Sequence, residues 1–150
     1  MSIWFAPPDL EHLNRIHVAT AVSALGIRIT EVGEDFLSAT MPVDERTRQP
    51  YGLLHGGASV VLAETLGSAA AICCVDSEKF TCVGLDINAN HVRGARDGVV
   101  TGVARPIHLG RTSHVWGIEI RDSGDRLVCI ARLTAAVVPI AAKPKEHGSQ

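Results

Sequence analysis

HGGASVVLAETLGSAAAICC, residues 55–74, is the stretch whose reading decides the fold. From Gly56 onward it offers about 19 residues without a proline, roughly 28 Å of α-helix at 1.5 Å per residue. Apolar or small side chains occupy every side of its circumference, which marks a helix surrounded by protein rather than one lying on a surface. A single carboxylate, Glu64, interrupts it. Glu64 and the small polar residues also argue against reading the stretch as a membrane span.

The sequence around this helix reads as strands. Downstream, four extended runs are predicted at 80–93, 99–109, 113–121 and 127–139, with turns at 94–98, 110 and 122–125. Turns this short predict antiparallel neighbours. Upstream, Asp9 is a candidate N-cap for one helix that Gly26 would stop. Two further extended runs, from Ile27 to Val32 and from Phe36 to Met41, flank a turn at Gly33-Glu34-Asp35. Residues 44–54, with Pro50 and Gly52, read as a loop. The expected architecture is α+β, one long central helix wrapped by an antiparallel β-sheet, in a single domain over residues 1–140 with a polar, flexible tail at 141–150. One sheet built from so short a chain leaves part of an all-round apolar helix uncovered, so a partner subunit is expected.

Composition narrows the function. The 150 residues are 46% apolar, 4% aromatic and 20% charged, with net charge −2. This excludes disorder and a chain-wide basic footprint for nucleic acid. The first residues have neither a charged n-region nor a sustained apolar run, so no signal peptide is read there. Cys73, Cys74, Cys82 and Cys129 form no CxxC pair, which argues for free thiols in a reducing cytoplasm and against a metal site.

Three groups of residues could carry chemistry. Glu64, among Val60, Val61, Leu62, Ala63, Leu66 and Gly67, is either paired with an Arg or a backbone donor across an interface or a general base or nucleophile in a cleft. Ser68 lies one turn on and could orient it. His55-Gly56-Gly57 opens the helix, where free amides and the dipole suit a developing oxyanion; a capping His55 above a tight turn is the plainer reading. Gly56 and Glu64 are eight residues apart, about 12 Å along the axis. If both act on one substrate, two antiparallel copies of the helix must meet. The third group is polar and cationic: Asp86, Asn88, Asn90 and His91 on a strand that then reaches Arg93 and Arg96, and Arg105, His108, Arg111, Thr112, Ser113 and His114 around a turn, either solvated faces or phosphate contacts.

RQPYGLLHGGASVVLAETLGSAAA (48–71), VGLDINANHVRGARDG (83–98) and HLGRTSHVW (108–116) together closely resemble the hotdog-fold acyl-CoA thioesterases. Within these, the group of the 4-hydroxybenzoyl-CoA thioesterase (Arthrobacter type) and the 1,4-dihydroxy-2-naphthoyl-CoA hydrolases matches over roughly residues 10 to 138. The resemblance implies a homo-oligomer whose active sites form across a dimer that doubles to a tetramer. It implies hydrolysis of acyl-CoA in the cytoplasm, without metal or redox cofactor. Glu64 matches the catalytic carboxylate and Gly56 the amide that polarises the thioester carbonyl. Gln49 and His55 match a polar pair that positions the carbonyl and the thioester or water. Ser68 matches a support for the acyl end. His91 and Arg93 match positions that meet CoA, with Arg111, Thr112 and Ser113 as further candidates. Neither nucleic acid nor a membrane is implied as a partner. A hydratase or dehydratase on acyl thioesters and a non-catalytic acyl-CoA binding protein are the alternatives; the Gln49, His55 and Glu64 set fits hydrolysis better.

Overall fold

The computed structural model describes residues 1–141. Helices α1 (Leu10–Arg15), α2 (Ala21–Ala24) and α3 (Gly56–Cys73) accompany strands β1 (Arg28–Val32), β2 (Leu37–Pro42), β3 (Phe80–His91), β4 (Val99–Leu109), β5 (Ser113–Arg121) and β6 (Leu127–Pro139). The strands form one sheet in the order β1-β2-β4-β5-β6-β3, antiparallel at each pairing. It wraps α3, the arrangement of the hotdog fold. The expected tail at 141–150 falls, beyond Ala141, outside the described residues.

Alternation along the strands builds the core. His114, Trp116, Ile118 and Ile120 of β5 and Cys129, Ala131, Leu133 and Ala135 of β6 turn inward and are buried. From α3, Leu62, Ala63, Leu66 and Ala70 meet them with no exposed surface. Each large side chain so buried stabilises by roughly 1.5–3 kcal/mol. The helix comes close to the sheet because two facing positions are glycine. A Cβ on Gly102 of β4 would stand 2.8 Å from Leu66 Cδ1, and one on Gly67 of α3 2.5 Å from Leu133 Cδ2. Mean hydropathy of 1.4 and 18 residues would let α3 cross a bilayer, but 56% of it is buried inside the protein.

Two sequence expectations change. The helix predicted from Asp9 to Gly26 is two short ones. Asp9 caps α1 as expected, through bonds from the Glu11 and His12 amides. However, Ala19 takes a left-handed φ of 58° and Thr20 opens a second cap, its hydroxyl accepting from the Val22 amide. A capping threonine in mid-sequence competes with helix continuation, and here the cap prevails.

The second change concerns β3 and β4, predicted to be neighbours from the short link between them. Instead β3 lies on the far edge beside β6, with β5 and β6 between it and β4. The seven residues 92–98, when extended, reach up to about 24 Å, whereas three strand spacings need roughly 14 Å. The Val92 and Arg93 amides donate to Val128 O, the Leu54 amide to Ala95 O and the Val43 amide to Gly98 O, fastening the link across the N-terminal end of α3. Consequently β3, 12 residues long, pairs on one side only. Val83 and Leu85 stand 49% and 66% exposed along it, beside a bulge at Gly84–Asp86.

Candidate active site

His55 closes the start of α3. Its Nδ1 accepts from the Gly57 amide at 2.8 Å, and its carbonyl accepts from Ala58 and Ser59. An accepting Nδ1 leaves the proton of the neutral ring on Nε2. The Gly56 amide has no acceptor among the described residues, while its neighbours in the first turn do. That leaves one donor at the positive end of the helix dipole. A Cβ on Gly56 would lie 2.9 Å from His91 Nε2, so the absent side chain is what opens this spot. Gln49, Gly56, Ser59, His91 and Arg93 line a cleft of about 380 Å³ here. Gln49 Oε1 accepts from the Tyr51 amide, which fixes the amide group at the cleft wall.

Glu64 opens elsewhere. It is half-buried and accepts from Ser68 Oγ at 3.1 Å, the one-turn partnership read from the sequence. Gly84 of β3 gives it room, since a Cβ there would come within 2.6 Å of Oε1. Leu13, Ile16 and His17 of the α1 region, with Ala69 and Ile72, enclose a separate cavity of about 190 Å³ beside Glu64 and Ser68. α1 is held over it by Asn14, which donates to Ile29 O at 2.8 Å and accepts from the Ile29 amide at 2.9 Å, as a strand neighbour would.

The sheet register shows which residues share an end. His91 faces Cys129 and Ser113 faces Ala136, seven residues apart on β6, roughly 23 Å. Gly84 and His114 both face Ala135, which puts Glu64 at the Arg111-Thr112-Ser113 end. Gly56, Gln49, His91 and Arg93 occupy the other end. Within one chain, then, the proposed carboxylate and amide lie in different clefts, as the helix rise predicts.

The second cationic cluster is not one surface. His114 is 4% exposed and turned inward. Arg105 is paired with Asp35 and stacked 4.6 Å over the Phe36 ring. Alternation in β4 and β5 sends neighbouring residues to opposite faces, which the linear sequence conceals. Arg111 and Thr112 remain exposed at the turn and Ser113 half-buried. Asn88 and Asn90 line a groove on the outer sheet face with Ile107, Glu119 and Arg132, not the His91 cleft. The cysteines are poor nucleophiles: burial pushes the Cys73 and Cys74 thiols up to about 11 and about 12. Sequence reasoning missed His17, Asn14 and Gly84, whose relation to Glu64 is purely tertiary.

This fold and site define a thioesterase. The Thioesterase superfamily profile matches residues 51–129, and the chain belongs to that family. Among relatives, it is 54% identical to the 1,4-dihydroxy-2-naphthoyl-CoA hydrolase of Escherichia coli over 136 residues, covering 91% of this chain and 99% of that protein. It is 50% identical to the proofreading thioesterase EntH of Cronobacter turicensis, covering 91% and 98%. The crystal structure of a mutant thioesterase from Pseudomonas aeruginosa superposes with a TM-score of 0.91 at 56% identity, covering 93% of this chain and 100% of that one.

Proposed function

We propose that the protein is an acyl-CoA thioesterase, working in the cytoplasm without a resident metal or redox cofactor, whose active sites form between two subunits. The observation that carries this is the placement of Gly56 and Glu64 in separate clefts on one helix. Pairing the open edge of β3 with a second β3 about a two-fold axis sets two α3 helices antiparallel. Glu64 of each subunit then approaches Gly56 of the other. The same rotation brings the Arg111-Thr112-Ser113 turn of one chain toward His91 and Arg93 of its partner, so cations from both can meet one CoA. Doubling of this dimer to a tetramer is the assembly the family resemblance adds.

In this site the Gly56 amide donates to the thioester oxygen, and more strongly as charge grows there. Glu64 either attacks the carbonyl carbon or takes a proton from the water that does. Collapse of the tetrahedral intermediate breaks the C–S bond and releases CoA thiolate, which leaves without a strong acid. Gln49 and the free Nε2–H of His55 orient the carbonyl and the water. Ser68 holds the Glu64 carboxylate in place. The substrates are aryl- or fatty acyl-CoA thioesters, with 1,4-dihydroxy-2-naphthoyl-CoA among them on the strength of the relative that carries its name.

The test is thiol release from a panel of aryl- and fatty acyl-CoAs by wild type, Glu64→Gln and Glu64→Ala. Turnover in the variants is expected to fall by about 10²–10⁴-fold. Near-wild-type turnover in both removes Glu64 from the mechanism, and no thiol release by wild type on any member removes the activity.

A further inference from the structure

Three buried side-chain atoms have no hydrogen-bond partner among the described residues: His17 Nε2, His114 Nδ1 and Trp116 Nε1. His114 and Trp116 point from β5 into the contact between sheet and helix. His17 differs, because its ring lines the cavity that holds Glu64 and Ser68. The remaining walls there are apolar Leu13, Ile16, Ala69 and Ile72, with Thr65, whose hydroxyl already donates to Val61 O. An imidazole nitrogen without a protein partner in such a wall gains when a ligand group supplies one.

Its backbone is tied down on both sides. The His17 amide donates to Asn14 O at 3.3 Å, and its carbonyl accepts from Thr20 Oγ1 at 2.6 Å. Asn14 itself is clamped to β1, so the ring is carried by a fixed platform. Burial also lowers the His17 imidazole below its ordinary value, which keeps it neutral near pH 7. A neutral ring nitrogen donates or accepts according to tautomer, and a hydroxyl satisfies either.

We infer that His17 is a specificity-determining residue that reads a hydroxyl group on the ring of an aromatic acyl chain, at the end of the acyl pocket beyond Glu64 and Ser68. This rests on the thioesterase reading and deepens it, since it names the class of acyl group that the cavity favours. The 190 Å³ space that the ring lines is sized for a substituent and part of a ring rather than for a long chain.

The experiment measures kcat and KM for benzoyl-CoA and for 2-, 3- and 4-hydroxybenzoyl-CoA in wild type, His17→Leu and His17→Gln. Wild type is expected to prefer at least one hydroxylated isomer over benzoyl-CoA. His17→Leu is expected to reduce that preference in kcat/KM by about fivefold to tenfold, the size of one net hydrogen bond. The loss should appear chiefly as a higher KM for the hydroxylated thioester, out of proportion to any change for benzoyl-CoA. His17→Gln, which keeps a donor and an acceptor, should restore part of the preference, and it carries the test if the leucine variant does not fold. Equal ratios in wild type and folded variants overturn the role of His17, as does a loss that falls alike on all four thioesters in both variants. Absence of hydrolysis of every thioester by wild type strikes the thioesterase reading instead.

Discussion

Replacing Gly56 by alanine separates stability from activity. The position is the first of α3 and its φ is not left-handed, so a methyl group fits the backbone without strain. Alanine is the better helix former by up to about 1 kcal/mol, and it lowers the entropy of the unfolded chain as well. Stability should therefore hold or rise. The added Cβ lies 2.9 Å from His91 Nε2, tighter than normal contact, but His91 is exposed and can rotate away. What cannot be restored is the space over the Gly56 amide. A thioester oxygen must come within about 3 Å of that nitrogen, and the methyl group stands beside it. Losing one such donor costs about 10²–10³-fold in kcat, roughly 2.7–4 kcal/mol. Thermal unfolding, followed by circular dichroism, and steady-state thiol release give the two readings. A variant of equal or higher Tm with kcat down a hundredfold supports the geometry. Full kcat in a folded Gly56→Ala protein would refute the claim that a methyl group there keeps the thioester oxygen off the amide, which alanine itself retains, and low activity with a collapsed Tm would refute the claim that the methyl group fits.

Mixing inactive subunits tests the composite site. In a one-to-one mixture of re-associated Gly56→Ala and Glu64→Gln chains, half the dimers are mixed and each has one intact site, so about a quarter of wild-type activity should return; no recovery despite proven exchange would place each site within one chain. Acid stability should report His114. Burial, and then the neighbouring His108, hold its imidazole below the ordinary 6.5. The unfolded chain thus binds the proton more readily: the stabilisation is complete above that value and is lost as pH falls through it, by at most about 1.4 kcal/mol per pH unit. Urea unfolding at pH 7.5, 6.5 and 5.5 should show a steeper decline in wild type than in His114→Gln, and equal slopes would contradict the assignment.

The elements with strong periodicity were legible from sequence. The run 55–74 holds its helix because apolar content, length and the His55 cap agree, and β4, β5 and β6 end where their turn residues begin. The break at Ala19-Thr20 was hidden because the apolar spacing continues across it, while the cap depends on one hydroxyl. The separation of β3 from β4 was hidden because link length limits distance but does not choose a neighbour. At the site, Glu64 stood out as a charge in an apolar run, and the helix rise alone separated it from Gly56. His17 gave no such signal: its place beside Glu64 comes from the docking of α1 through Asn14, a contact between side chain and sheet edge that no local pattern encodes.

The paired fit of Leu66 over Gly102 and Leu133 over Gly67 works as a key in a slot on each surface. Such a key fixes the rotation of α3 and also its position along its own axis. A slip of one residue would carry Glu64 about 1.5 Å along the axis and swing it about 100° around it. Alignment between two subunits thus starts from an indexing error set inside each one. Filling either slot with a side chain would detune hydrolysis from a distance, at residues that never meet the substrate.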